Sequence, residues 1–226
     1  VSLCRKALSI YPDCVDALAM LAEIESETVK DYIESMDKAV KAGRKYLGKD
    51  YFEQERGNFW GLLETRPFMR AMAQLGHGYM QLGKKGYSLA IEVFEEMLEL
   101  NPNDNQGIRD ILLGCYLATK HYEKAGDLLK RYKNDTMANF MWSRVLYDYI
   151  TSGQAKAEKT FKQAMKSNPY VLKYLVGKKR LPRQLPAEYS PGEETEAIYC
   201  ADTLKEAWKT HREAKAWLKE HDAAKS

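Results

Sequence analysis

The chain has 226 residues, 45% apolar and 30% charged, the composition of a folded globular chain and not of a disordered one. Lys and Arg total 35 against 32 Asp and Glu, a formal charge of +3. That is too little for bulk attraction to nucleic acid or to an acidic membrane surface, so any basic partner site has to be local.

Glycine and proline are few, and apolar residues recur at three- and four-residue spacing, so the chain reads as amphipathic helices joined by short turns. It begins at Val1, without a methionine, inside the helical stretch SLCRKALSIYP, as expected of a piece of a longer protein. CVDALAMLAEIE and DYIESMDKAVKAGRKYLG predict a helix pair over 15–48. Residues 49–67 follow as an insertion that ends in RGNFWGLLETRP. FMRAMAQLGHGYMQLG and YSLAIEVFEEMLELNP predict a second pair over 68–104. Asn105 to Leu117 and Tyr122 to Tyr132 predict a third over 105–135, and a fourth spans 137–169. After Tyr170 the pattern changes: residues 175–192 hold three of the seven prolines and a basic run, the mark of an irregular strap. Thr195 to Glu220 predicts one last helix. Its Ala197, Ala201, Leu204, Trp208, His211 and Leu218 form a stripe fit to cap the open end of a helical stack.

Repetition carries the fold assignment. Ala90, Phe94, Met97 and Pro102 have the same spacing as Ala157, Phe161, Ala164 and Pro169, and Ala7 and Pro12 echo its last step. Pro102 and Pro169 stand about two units of ~34 residues apart, while Pro12 and Pro102 are separated by two units plus roughly 22 residues, which isolates the insertion. Together with LGHGY (Leu75 to Tyr79) and NPND (Asn101 to Asp104), this pattern resembles tetratricopeptide repeats over residues 1–171. Residues 172–226 then form the strap and the capping helix. SNPYVLKYLVGKKRLPRQLP followed by ETEAIYCA is similar to the end of the suppressor of tumorigenicity seven family and of bacterial repeat proteins like it. The resemblance implies an all-α right-handed superhelix whose concave groove is lined mainly by the first helices of the pairs.

In that register, groove positions fall on Arg70, Gln74 and His77, on Gln106, Arg109 and Asp110, and on Arg144. Their many donors suit a peptide backbone or a carboxylate, with the arginines able to grip the latter in bidentate fashion. The expected partner is a protein or peptide, and the expected role a non-catalytic scaffold. Two alternatives are a regulatory or substrate-recruiting region of a larger enzyme, and nucleic-acid binding through Lys178, Lys179, Arg180 and Arg183.

Catalysis finds little footing. Glu64 beside Arg56 or Arg66 lacks the second titratable group that acid/base work requires. Phe59 and Trp60 are expected to fill a cleft between repeats, with a local Glu64–Arg66 ion pair. GKKG (Gly83 to Gly86) joins two helices, whereas a phosphate loop follows a strand. No cofactor is expected. The four histidines are too far apart in helical order for a metal site, and Cys4, Cys14, Cys115 and Cys200 show no ligand spacing. Such scattered thiols suit a reducing, cytoplasmic setting. No apolar run approaches the ~20 residues of a membrane span.

Overall fold

A computed structural model of the chain describes residues 1–223. Among these residues it is all-helical, with no strand. The helices are α1 (Ser2–Ile10), α2 (Val15–Glu25), α3 (Val29–Leu47), α4 (Lys49–Gln54), α5 (Arg66–Met80), α6 (Lys84–Leu100) and α7 (Ile108–Thr119). They continue as α8 (Tyr122–Arg131), α9 (Ala138–Ser152), α10 (Gln154–Ser167), α11 (Val171–Val176), α12 (Glu194–Thr210) and α13 (Arg212–Ala223). A single 3-10 turn, Phe59–Gly61, lies in the insertion. The chain divides into two compact units, Val1–Leu112 and Leu113–Ser226.

In the first unit the helix ends follow local chemistry. Thr28 and Asp31 close a reciprocal capping box at the start of α3, satisfying two backbone N–H groups that a helix cannot pair internally. Pro67 sits in the first turn of α5, where its missing N–H costs nothing. The pairs α2–α3 and α5–α6 pack as hairpins, and α5 also packs on α2 and α3. The small and aromatic positions of the repeat pattern are core: Ala90, Phe94 and Met97 are all buried. LGHGY supplies the space they need, since a Cβ on Gly76 would stand 2.3 Å from the Phe94 ring. Burying a phenyl group of this kind stabilises by roughly 1.5–3 kcal/mol.

In the second unit α9 is the hub, packed on α8, α10, α12 and α13, while α11 packs on α12 and α13. Ala157, Phe161 and Ala164 are buried as their counterparts are in α6. A polar cluster joins the elements. Glu196 of α12, itself buried, accepts from the Ala138 N–H at the start of α9 (2.9 Å), the Asn168 amide (2.9 Å) and the Gly192 N–H of the strap (2.7 Å). The Asn168 amide also donates to the Glu193 carbonyl, and the Trp142 indole N–H to the Asn168 carbonyl. One carboxylate thus caps a helix and pins a loop.

The last helix departs from the sequence expectation. In place of one helix over 195–220 there are two, α12 and α13, broken at His211. There the imidazole bonds the Ala207 carbonyl through Nδ1 (2.7 Å) and the Tyr122 hydroxyl through Nε2 (2.9 Å). Ala197, Ala201, Leu204 and Trp208 are buried from α12 and Leu218 from α13, so the stripe is real but bent. The sequence predicts the irregular strap over 175–192; the short α11 takes its first residues, so the irregular segment starts at Gly177.

Candidate functional site

The outward faces of α2 and α5 form the candidate site. Asp16, Met20 and Glu23 recur along α2 at the four- and three-residue steps that keep side chains on one helix face, and Arg70, Gln74 and His77 do so along α5. The two rows meet. Arg70 Nη2 donates to both carboxylate oxygens of Asp16 at 2.8 Å, and the Gln74 amide donates to Glu23. Early residue meets early and late meets late, so α2 and α5 run parallel, side by side. Gln106, just before α7, donates to the Met69 carbonyl near the start of α5 (3.3 Å).

Several side chains read from the sequence as partner-binding are therefore engaged within the chain. Arg70 holds Asp16. Arg109 holds Asp104, a buried carboxylate that also accepts the Ile108 and Arg109 N–H groups and so caps α7. Burial pushes the Asp104 carboxyl up from its ordinary value, against these three bonds. Asp110 lies half-buried in the first turn of α7. Arg144, in the second unit, donates weakly to the Leu129 carbonyl (3.4 Å) and keeps a buried Nε without acceptor.

What remains available on the α2/α5 face is different in kind. His77 is open to solvent, its ring edge-on to Phe94 at 5.9 Å. Protein atoms still crowd the imidazole densely enough to hold its pKa below the ordinary value. The carbonyl oxygens of Gln74 and Gln106 have no donor, but both are buried and so offer nothing to a partner. Met20 is 50% exposed and Ile24, one turn further along α2, 55%. Sequence reasoning missed the α2 half of this face, although Asp16, Met20 and Glu23 carry the same spacing as Arg70, Gln74 and His77.

The basic strap is also partly consumed. Lys178 pairs with Asp222 (2.5 Å), and Lys179 with Glu194 while lying over the Tyr174 ring. Arg180 and Arg183 are exposed and, among the described residues, form no ion pair.

The insertion is a packed joint. Phe59 is fully buried against Phe52 (4.9 Å between centroids), Tyr51 and Phe68. Trp60 is half-buried under the Arg66 guanidinium, which donates to the Trp60 carbonyl. Glu64 accepts from the Tyr51 hydroxyl at 3.1 Å, where the sequence suggested Arg66. Gly57 takes φ +94°. GKKG is the α5–α6 joint: Gly83 precedes α6, and a Cβ on Gly86 would fall 1.8 Å from the Tyr79 carbonyl oxygen.

Chemistry of the reactive kind is thinly supplied. His211 has both ring nitrogens engaged, burial pushes the Cys115 thiol up to about 12, and no group of three metal-ligating side chains occurs among the described residues. No helix among them is long and apolar enough to cross a membrane. No family model, curated protein or solved structure matches the chain, so its own geometry carries the functional reading.

Proposed function

We propose that the chain is a non-catalytic protein-interaction scaffold built of tetratricopeptide-like repeats, the type whose helix pairs wind into a right-handed superhelix, and that it binds an extended segment or a helix along the α2/α5 face. The observation that carries this reading is the parallel alignment of α2 and α5, which places two rows of exposed polar and apolar side chains next to each other. Such a surface can fix a partner's register with polar groups while apolar neighbours supply contact area. A regulatory or substrate-recruiting region of a larger enzyme would use the same face. A reducing, cytoplasmic setting is part of the proposal and suits four cysteines that are all free. Nucleic-acid binding through the strap is the weaker reading, because Lys178 and Lys179 already pair with Asp222 and Glu194, and a strap with so few cations makes few phosphate contacts.

The test is selection of short displayed peptides on the intact chain, followed by affinity measurement on a Met20→Ala, His77→Ala variant. Loss of about tenfold or more, with helical content and melting temperature unchanged, supports the reading. Peptides that bind both proteins equally refute it.

A further inference from the structure

Around Glu23 the face described above is short of donors and of positive charge. Glu23 has the Gln74 amide as its hydrogen-bond donor and no cation in contact among the described residues. A carboxylate has about four acceptor positions, so most of its capacity is unfilled. Asp16 is already matched by Arg70, and Arg70 in turn is committed to Asp16 through both carboxylate oxygens. Arg109 is likewise committed to Asp104. The carbonyl oxygen of Gln74 also lacks a donor, but it is buried, so Glu23 is the acceptor that a partner can reach. Glu23 also acts beyond its own helix: its charge, after burial, helps to raise the pKa of the Tyr32 phenol in α3. With Asp16 and Arg70 paired, and burial disfavouring the charged form of His77, Glu23 is the carboxylate of the two rows that has no cation in contact among the described residues. Beside it lie the exposed apolar side chains of Met20 and Ile24.

We infer that the α2/α5 face selects a basic segment of a partner protein, a Lys or Arg next to an apolar residue, with the cation on Glu23 and the apolar side chain on Met20 and Ile24. This rests on the reading of that face as the binding surface and reverses the polarity expected from the arginines in the sequence. An ammonium or guanidinium brings several N–H donors to the unfilled acceptor positions of Glu23. A carboxylate-bearing segment would have to share Arg70 with Asp16 and then face Glu23, a like-charge juxtaposition that disfavours it. The apolar neighbours give a cation with a hydrophobic flank an advantage over a bare charge, since the aliphatic stem of Lys or Arg can lie along Met20.

The experiment is the same displayed-peptide selection, read for sequence and followed by fluorescence anisotropy with synthetic peptides. Each selected peptide is compared with a twin in which its Lys or Arg is replaced by Glu. The expected result is enrichment of Lys or Arg beside an apolar residue, and weakening by about tenfold or more in the twin and in the Glu23→Gln variant. Arg70→Ala frees Asp16 and is expected to keep or tighten the binding of basic peptides. Asp16→Asn frees Arg70 and is expected to admit acidic ones. Acidic peptides that bind the wild-type chain and are lost in Arg70→Ala overturn the inference but leave the binding face standing. Basic peptides whose affinity ignores Glu23→Gln also overturn it. If no peptide responds to Met20→Ala, His77→Ala, the face itself is not the site, and the proposed function falls with the inference. Melting curves of each variant accompany the affinities, so that a folding defect is not read as lost recognition.

Discussion

The insertion between α3 and α5 and the strap between α11 and α12 are both irregular, and they are held by opposite means. The insertion is pinned from within by a ring cluster: Phe59 is plugged against Phe52 and Phe68, and the Arg44 guanidinium lies over the latter two rings while pairing with Glu96. The strap exposes most of its side chains and is pinned through its backbone. The Gly192 N–H and Glu193 carbonyl go to Glu196 and Asn168, the Ser190 N–H to Thr195, and the Pro186 carbonyl takes the Tyr199 hydroxyl. Apolar plugging is non-directional and tolerates shape-conserving change, whereas a buried polar hub holds only while every bond is made.

Four measurements can break or sharpen this contrast. The largest effect is expected for Phe59→Ala, a loss of about 3–5 kcal/mol in chemical denaturation, with Phe59→Leu restoring most of it because the site asks only for volume. Next comes Glu196→Ala, about 2–4 kcal/mol, since it leaves the Ala138 and Gly192 N–H groups without their acceptor and takes from the Asn168 amide one of its two acceptors. Here Glu196→Leu should restore nothing, and a recovery comparable to that of Phe59→Leu would erase the distinction between the two regions. Trp60→Ala should cost less than Phe59→Ala, about 1–2 kcal/mol, because its ring is only half-buried under Arg66. Equal losses at the two positions would place Trp60 in the core.

The smallest effect is a pH dependence on the strap side, where α12 ends at His211. Burial, and then the nearby charge of Lys120, hold the imidazole below its ordinary pKa, while its bond to the Ala207 carbonyl pulls the other way. The folded state therefore releases its proton more readily than the unfolded state, and stability is fully present above the ordinary histidine value. It is lost as pH falls from that value through the lowered one. His77 acts in the same direction. Melting temperature should accordingly drop on acidification through the histidine range, and His211→Gln should remove part of the slope. An unchanged slope would mean that the ring takes up its proton equally readily in the folded and unfolded states.

Much of the helical order can be read from the sequence, because the repeat spacing is a packing requirement. Ala90, Phe94 and Met97, and again Ala157, Phe161 and Ala164, have to interdigitate, and the glycines of LGHGY have to leave room. The break at His211 could not be read, since KTHREA contains neither glycine nor proline and the helix ends where Tyr122, 89 residues away in sequence, meets the imidazole. The same limit governs the candidate site. The positions of Arg70 and Arg109 follow from the repeat register, but their availability depends on Asp16 and Asp104, and only the fold brings Asp16 within reach across 54 residues. Glu196 looks like any solvent-facing glutamate of an amphipathic helix, so the hub it organises leaves no local trace.

That hub also imposes an order of assembly. The cap on the first turn of α9 arrives from a carboxylate 58 residues further along the chain. As the polypeptide leaves the ribosome, α9 and α10 can close as a local hairpin while the Ala138 amide still points into water, and the cap is added only once α12 has emerged. If these contacts form after the folding barrier, Glu196→Ala should speed unfolding of the second unit far more than it slows refolding. Glu196 then acts as a latch on a structure already formed, setting how slowly the second unit comes apart more than how quickly it comes together.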